Sequence, residues 1–191
     1  KSEGDSNVEQ INTENIALSV MSHKLLLMPD MLVPAFGNRL KVIEIVRHPL
    51  YMIEHYNTFL RRFNSPREFS ISFYHNDLKV PWFVDGWVEE YVQANPLERA
   101  VLSVTKLYSW LNREIQNAKS NHLNLLVLSF EEIVFETSAA LQRLSDFTNR
   151  SHGNSLKRIL TAQKLPRKRI AQGRGHSFNG WTKSNMLESE Y

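Results

Sequence analysis

Residues 41–46, KVIEIV, form a nearly continuous apolar run rich in β-branched residues, the pattern of a strand covered on both faces. The run stops at Arg47 and His48. Pro49 then suits the first turn of a helix, with Met52, Ile53, Tyr56, Phe59 and Leu60 following at helical spacing. Residues 64–87 hold Pro66, Pro81, Gly86 and several aromatics with no clear period, which reads as a long, partly packed excursion. Asn95-Pro96-Leu97-Glu98 is a helix start, with Asn as N-cap, Pro at the first position and Glu at the third. Val101, Val104, Tyr108, Leu111 and Ile115 form the stripe of that helix, which fades into Lys119-Ser120-Asn121. A second buried run, LNLLVLSFEEIV (123–134), also ends at charged residues. Amphipathic helices are predicted over 13–28, ending before Pro29, and over 138–148.

Strand, helix, helix, strand, helix is the order of an α/β domain with a central parallel sheet flanked by helices, here expected to span 1–191 as one domain. Two strands are too few for such a sheet, so further ones are expected in FSISFY (69–74) or upstream of Lys1.

Composition narrows the class. The 191 residues are 42% hydrophobic, enough for a substantial core, and 23% charged, which is ordinary for a globular chain. No apolar run approaches the roughly 20 residues that cross a bilayer. KSEGDSNVEQ at the start lacks the order of a signal peptide. There is no cysteine, so disulfides and thiolate metal sites are excluded, and a cytoplasmic location is the expectation. Net charge is only +3, but KLPRKRIAQGRG (164–175) gathers Lys164, Arg167, Lys168, Arg169 and Arg174 without an acid. Such a run is either a solvated face or an anion site. The seven histidines are scattered and no His-x-x-His or His-Glu-x-x-His occurs, so no metal is expected.

Arg47 is the residue that points to chemistry. In open parallel sheets, ligands bind beyond the carboxyl ends of the strands. A helix opening at Pro49 would add free backbone N–H groups and the positive end of its dipole. The guanidinium presents a planar fork of donors that matches phosphate or sulfate oxygens. The other reading is an Arg paired with a carboxylate at the sheet edge.

Four segments, which occur in the family's order, carry a resemblance. KVIEIVRHPLYMIEHYNTF (41–59) resembles the 3′-phosphate-binding segment of the sulfotransferase family, where a strand ends in Arg-x-Pro and leads into a helix. LLVLSFEEIV (125–134) is similar to the later family strand running into a Tyr-Glu-Asp-like triplet, here Phe130-Glu131-Glu132. GRGHSFNGWTK (173–183) looks like the C-terminal loop that folds over the cofactor. SHKLLLMPDML (22–32) resembles the Thr-His…Leu-Pro stretch of cytosolic members. The resemblance implies a single α/β domain of the P-loop NTPase-like sulfotransferase fold. It also implies transfer of a sulfuryl group from 3′-phosphoadenosine 5′-phosphosulfate to a hydroxyl or amine, leaving 3′,5′-adenosine bisphosphate.

On that reading Arg47 binds the 3′-phosphate, and Arg174 with Gly175 closes on it. His23 is the general base, a task that suits an imidazole titrating near neutrality. His55 stands where the family has a Ser contacting the same phosphate. Phe130 replaces the usual Tyr, keeping a stacking surface for adenine but losing the phenol. The chain departs from the family at the loop that holds the 5′-phosphosulfate. KSEGDSN offers Lys1 and Ser2 as donors, but Glu3 and Asp5 oppose an anion, and the domain is expected to lack part of its first strand and phosphate loop.

FYHNDLKVPWFVDGW (73–87) holds aromatics that either line an acceptor pocket or pack; Trp87 reads as packing, while Trp82 and Phe83 stay open between the two. Trp181 reads as an anchor of the C-terminal loop. Alternatives from other classes are a polyanion or nucleic-acid-binding α/β module built on the 157–174 cations, and a catalytically inactive relative. A nucleoside-phosphate kinase is disfavoured because no Gly-x-x-x-x-Gly-Lys-Ser/Thr loop occurs. The expected partners are the nucleotide and an unidentified acceptor, with no nucleic acid and no membrane span.

Overall fold

A computed structural model describes residues 19–21, 33–63 and 71–169. Along these the chain forms α1 (Val33–Phe36), β1 (Lys41–Val46), α2 (Pro49–Arg62), β2 (Ser72–His75), β3 (Leu78–Pro81), α3 (Val88–Gln93) and α4 (Pro96–Ser120). It continues with β4 (Asn124–Ser129), α5 (Phe130–Phe135), α6 (Thr137–Thr148) and α7 (Leu156–Gln163). The predicted helix over 13–28 lies outside the described residues.

Local chemistry sets most of these boundaries. At the start of α4 the Asn95 side chain accepts from the N–H groups of Leu97 and Glu98, and Glu98 reaches back to the Asn95 N–H at 2.8 Å. Ser129 caps α5 by accepting from the Glu132 N–H, which ends β4 earlier than the apolar run suggests. The predicted strand over 123–134 is thus half strand and half helix. Asn76 and Asp77 both take positive φ, the geometry of a two-residue turn that joins β2 to β3.

The architecture is mixed α/β, with a parallel sheet of two strands among the described residues. β1 pairs with β4 from Lys41↔Asn124 to Val46↔Ser129. The 69–74 region does contain a strand, but β2 pairs antiparallel with β3 in a separate hairpin and adds nothing to the parallel sheet. A two-residue turn leaves the chain no length for the crossover that parallel pairing needs. Nor is β1 covered on both faces by the described residues: Ile43 is 39% exposed and Ile45 58%, while Val42, Glu44 and Val46 are half-buried.

α4 joins two apolar clusters. Toward its start, Leu107 packs with Tyr56, Phe59 and Leu60 of α2 around buried Val80, Phe83, Val84 and Tyr91. Toward its end, Ile115 and Ala118 meet Val42 of β1 and Leu125 and Val127 of β4. Its buried stripe runs through Ala100, Ser103 and Val104, so Val101 is turned out to solvent instead of inward. Lys41 at the start of β1 donates to the Phe147 carbonyl of α6 at 2.7 Å. Arg143 of α6 pairs with Glu132 and donates to the Val127 carbonyl at 3.0 Å. Among the described residues no helix is long and apolar enough to cross a membrane.

Candidate functional site

Because β1 and β4 are parallel and end in register at Val46 and Ser129, the residues that follow them leave the sheet side by side at its carboxyl rim. Those residues are Arg47 and Phe130, and the guanidinium lies over the ring, 5.0 Å from its centroid. The Tyr51 ring of α2 approaches the same guanidinium at 5.8 Å. Arg47 Nε is buried and has no hydrogen-bond partner, and no carboxylate pairs with Arg47 among the described residues. The sheet-edge ion pair considered for this residue is therefore not formed there. Two aromatic faces hold the cation in place while a desolvated donor is left unused.

The main chain at the rim is pinned from α4, whose Tyr108 hydroxyl donates to the Arg47 carbonyl. Burial pushes the Tyr108 phenol up from its ordinary pKa, and the negative charge of Glu131 adds to that while Arg47 opposes it. Tyr56 on α2 is pushed up to about 12, chiefly by burial and further by its neighbour Tyr108. Both phenols stay protonated across the physiological range.

The helix opening differs from expectation. Free N–H groups were expected around Pro49, but the His48 N–H donates to Glu131 Oε1 at 3.2 Å, and the Leu50 N–H to His48 Nδ1 at 3.3 Å. The Tyr51 N–H bonds the His48 carbonyl at 3.0 Å. His48 thus serves as its own N-cap, and an acid occupies part of the opening, so anion affinity at this rim has to come from side-chain cations.

Of the other predicted site residues, His55 lies on α2, exposed, with its ring edge-on to Tyr56 at 6.0 Å. Phe130 is brought to the site, though its ring carries guanidinia where a bare stacking face was expected. Lys1, Ser2, His23, Arg174 and Gly175 lie outside the described residues, as does Trp181. Trp82 and Phe83, left open between packing and an acceptor pocket, both pack: Phe83 is buried in the core, and Trp82 meets the rings of Phe83 and Trp110. Trp87 packs as expected, its Nε1 donating to the Phe83 carbonyl at 2.9 Å. An open groove of about 540 Å³, lined by Glu90, Gln93, Leu97, Glu98 and Val101 among others, includes none of the predicted site residues.

One residue of the basic run joins the rim. The Arg167 guanidinium lies over the Phe130 ring, 5.9 Å from its centroid. The Arg167 N–H donates to the Val134 carbonyl at 2.7 Å, tying this segment to α5, the helix that Phe130 opens. No local pattern pairs positions 130 and 167, so only the folded topology reveals the contact. Tyr108 and Glu131 were likewise visible only as a stripe residue and an acidic neighbour. No protein-family model, curated protein or solved structure matches this chain.

Proposed function

We propose that this protein is a sulfotransferase that moves a sulfuryl group from 3′-phosphoadenosine 5′-phosphosulfate to a hydroxyl or amine acceptor. One observation carries the reading: Arg47 and Phe130, assigned separately to the nucleotide from the sequence, leave neighbouring parallel strands in register and meet at the carboxyl rim, with a buried Arg47 Nε awaiting an acceptor. A dianion fits that donor, since charge-assisted bonds from a guanidinium fork are strong where water is excluded. The P-loop-like form of the fold is part of the same proposal.

In this reading Arg47 holds the 3′-phosphate, with His55, Arg174 and Gly175 around it, and Phe130 borders the adenine. Lys1 and Ser2 are assigned to the 5′-phosphosulfate. The acceptor oxygen or nitrogen forms its bond to sulfur as the bond from sulfur to the 5′-phosphate oxygen breaks, and His23 takes the acceptor's proton. Charge spreads onto the leaving phosphate, so positioned cations supply most of what the reaction requires.

Calorimetric titration with 3′,5′-adenosine bisphosphate tests this. The wild type binds, and Arg47→Ala weakens binding by roughly tenfold or more. Absence of binding, or equal binding by both proteins, overturns the proposal. His23→Ala is expected to bind the nucleotide and lose transfer. A wild type that binds but transfers to no acceptor is the inactive relative, and binding that collapses steeply with salt for any polyanion marks the nucleic-acid module.

A further inference from the structure

We infer that Arg167 is a second anion-binding residue of this site, acting with Arg47 on one phosphate monoester; this rests on the nucleotide reading above. Arg47 and Arg167 lie over the same ring, at 5.0 and 5.9 Å from its centroid, so two guanidinia are gathered around one side chain. A doubly charged oxyanion held at this rim by both guanidinia supplies the buried Arg47 Nε with the acceptor it lacks.

Arg167 is also positioned for the task. Its Nε donates to the Gln163 carbonyl at the end of α7, at 3.3 Å, and its own N–H is bonded to Val134. The side chain is thus oriented from its inner end, with the guanidinium turned toward the rim. Among the cations of the basic run, Lys168 and Arg169 are exposed, while Arg167 is half-buried. Among the described cations of the run, Arg167 is thus set apart by its half-buried place at the rim. The ligand class that matches is a phosphate monoester dianion, whose three terminal oxygens two planar forks can share.

Calorimetry on the full chain with 3′,5′-adenosine bisphosphate separates this inference from the reading beneath it. Arg167→Ala is expected to weaken binding by about tenfold, and Arg167→Lys to recover only part of the loss, because an ammonium is a point charge. The dependence of affinity on salt becomes shallower in Arg167→Ala, as expected when one cation leaves the contact. If the wild type binds, Arg47→Ala loses binding and Arg167→Ala matches the wild type, the inference fails and the nucleotide reading stands. If the wild type does not bind, both fail. Should Arg167→Ala not fold, Arg167→Gln removes the charge but keeps an N–H donor, and the same comparison is read from it. A lowered melting temperature with unchanged affinity and salt slope shows a structural role only and overturns the inference.

Discussion

The Tyr108 hydroxyl of α4 donates to the main-chain carbonyl of Arg47, so the long helix that packs the core also fixes the residue on which the proposed nucleotide site depends. Tyr108→Phe removes the donor and strands a half-buried carbonyl. The expected loss is about 1 kcal/mol of stability, seen as a lower denaturation midpoint, together with weaker nucleotide binding in calorimetry.

Glu44 sits between Val42 and Val46 on the half-buried face of β1, and burial raises its pKa above 4.5. Its folded-state pKa exceeds the unfolded one, so the carboxyl favours the fold at low pH and that contribution is lost as pH rises through the raised value. Glu44→Gln is therefore expected to raise the melting temperature at pH 7. The advantage over wild type should vanish as pH falls below about 4. A variant no more stable than wild type at neutral pH sinks this account.

Alkaline titration followed by tyrosinate absorbance, wild type against Tyr56→Phe, should isolate the ionisation of Tyr56. Burial holds the Tyr56 proton until about 12, above the ordinary phenol value of 10.0. In the interval between 10.0 and about 12 the folded state binds more protons than the unfolded one, so Tyr56 lowers stability progressively across that window. Tyr56→Phe should flatten the fall.

Phe83 is buried in the cluster formed by the β2–β3 hairpin, α2 and α3. Phe83→Ala is expected to lose roughly 3–5 kcal/mol through burial and cavity terms, read from chemical denaturation. Nucleotide affinity per folded molecule should be unchanged, because this side chain packs the core and does not reach the rim.

The parts legible in the sequence are those decided within a few residues. Asn95-Pro96-Leu97-Glu98 carries its capping box in the letters, and Pro49 marks the start of α2 just as plainly. The position of Arg47 at a strand end followed from the same kind of local reading. Asn76-Asp77 was an available turn signal between ISFYH and LKVPW, but the density of aromatics around it masked the alternation, and the hairpin went unseen. Ser129 as a cap was hidden because apolar residues resume just past it in α5, at Phe130, Ile133 and Val134. Arg167 over Phe130 depends on α6 and α7 returning the chain to the rim, and side-chain chemistry alone does not encode that path.

The register of β1 on β4 has a consequence for how the protein behaves before it is fully formed. Neither strand alone holds both Arg47 and Phe130, and β1 and β4 lie far apart along the chain, so the proposed nucleotide site exists only where the two strands have paired. Occupancy then acts as a thermodynamic ratchet on assembly: ligand added to a partly unfolded population draws molecules toward the paired state in proportion to the logarithm of its concentration.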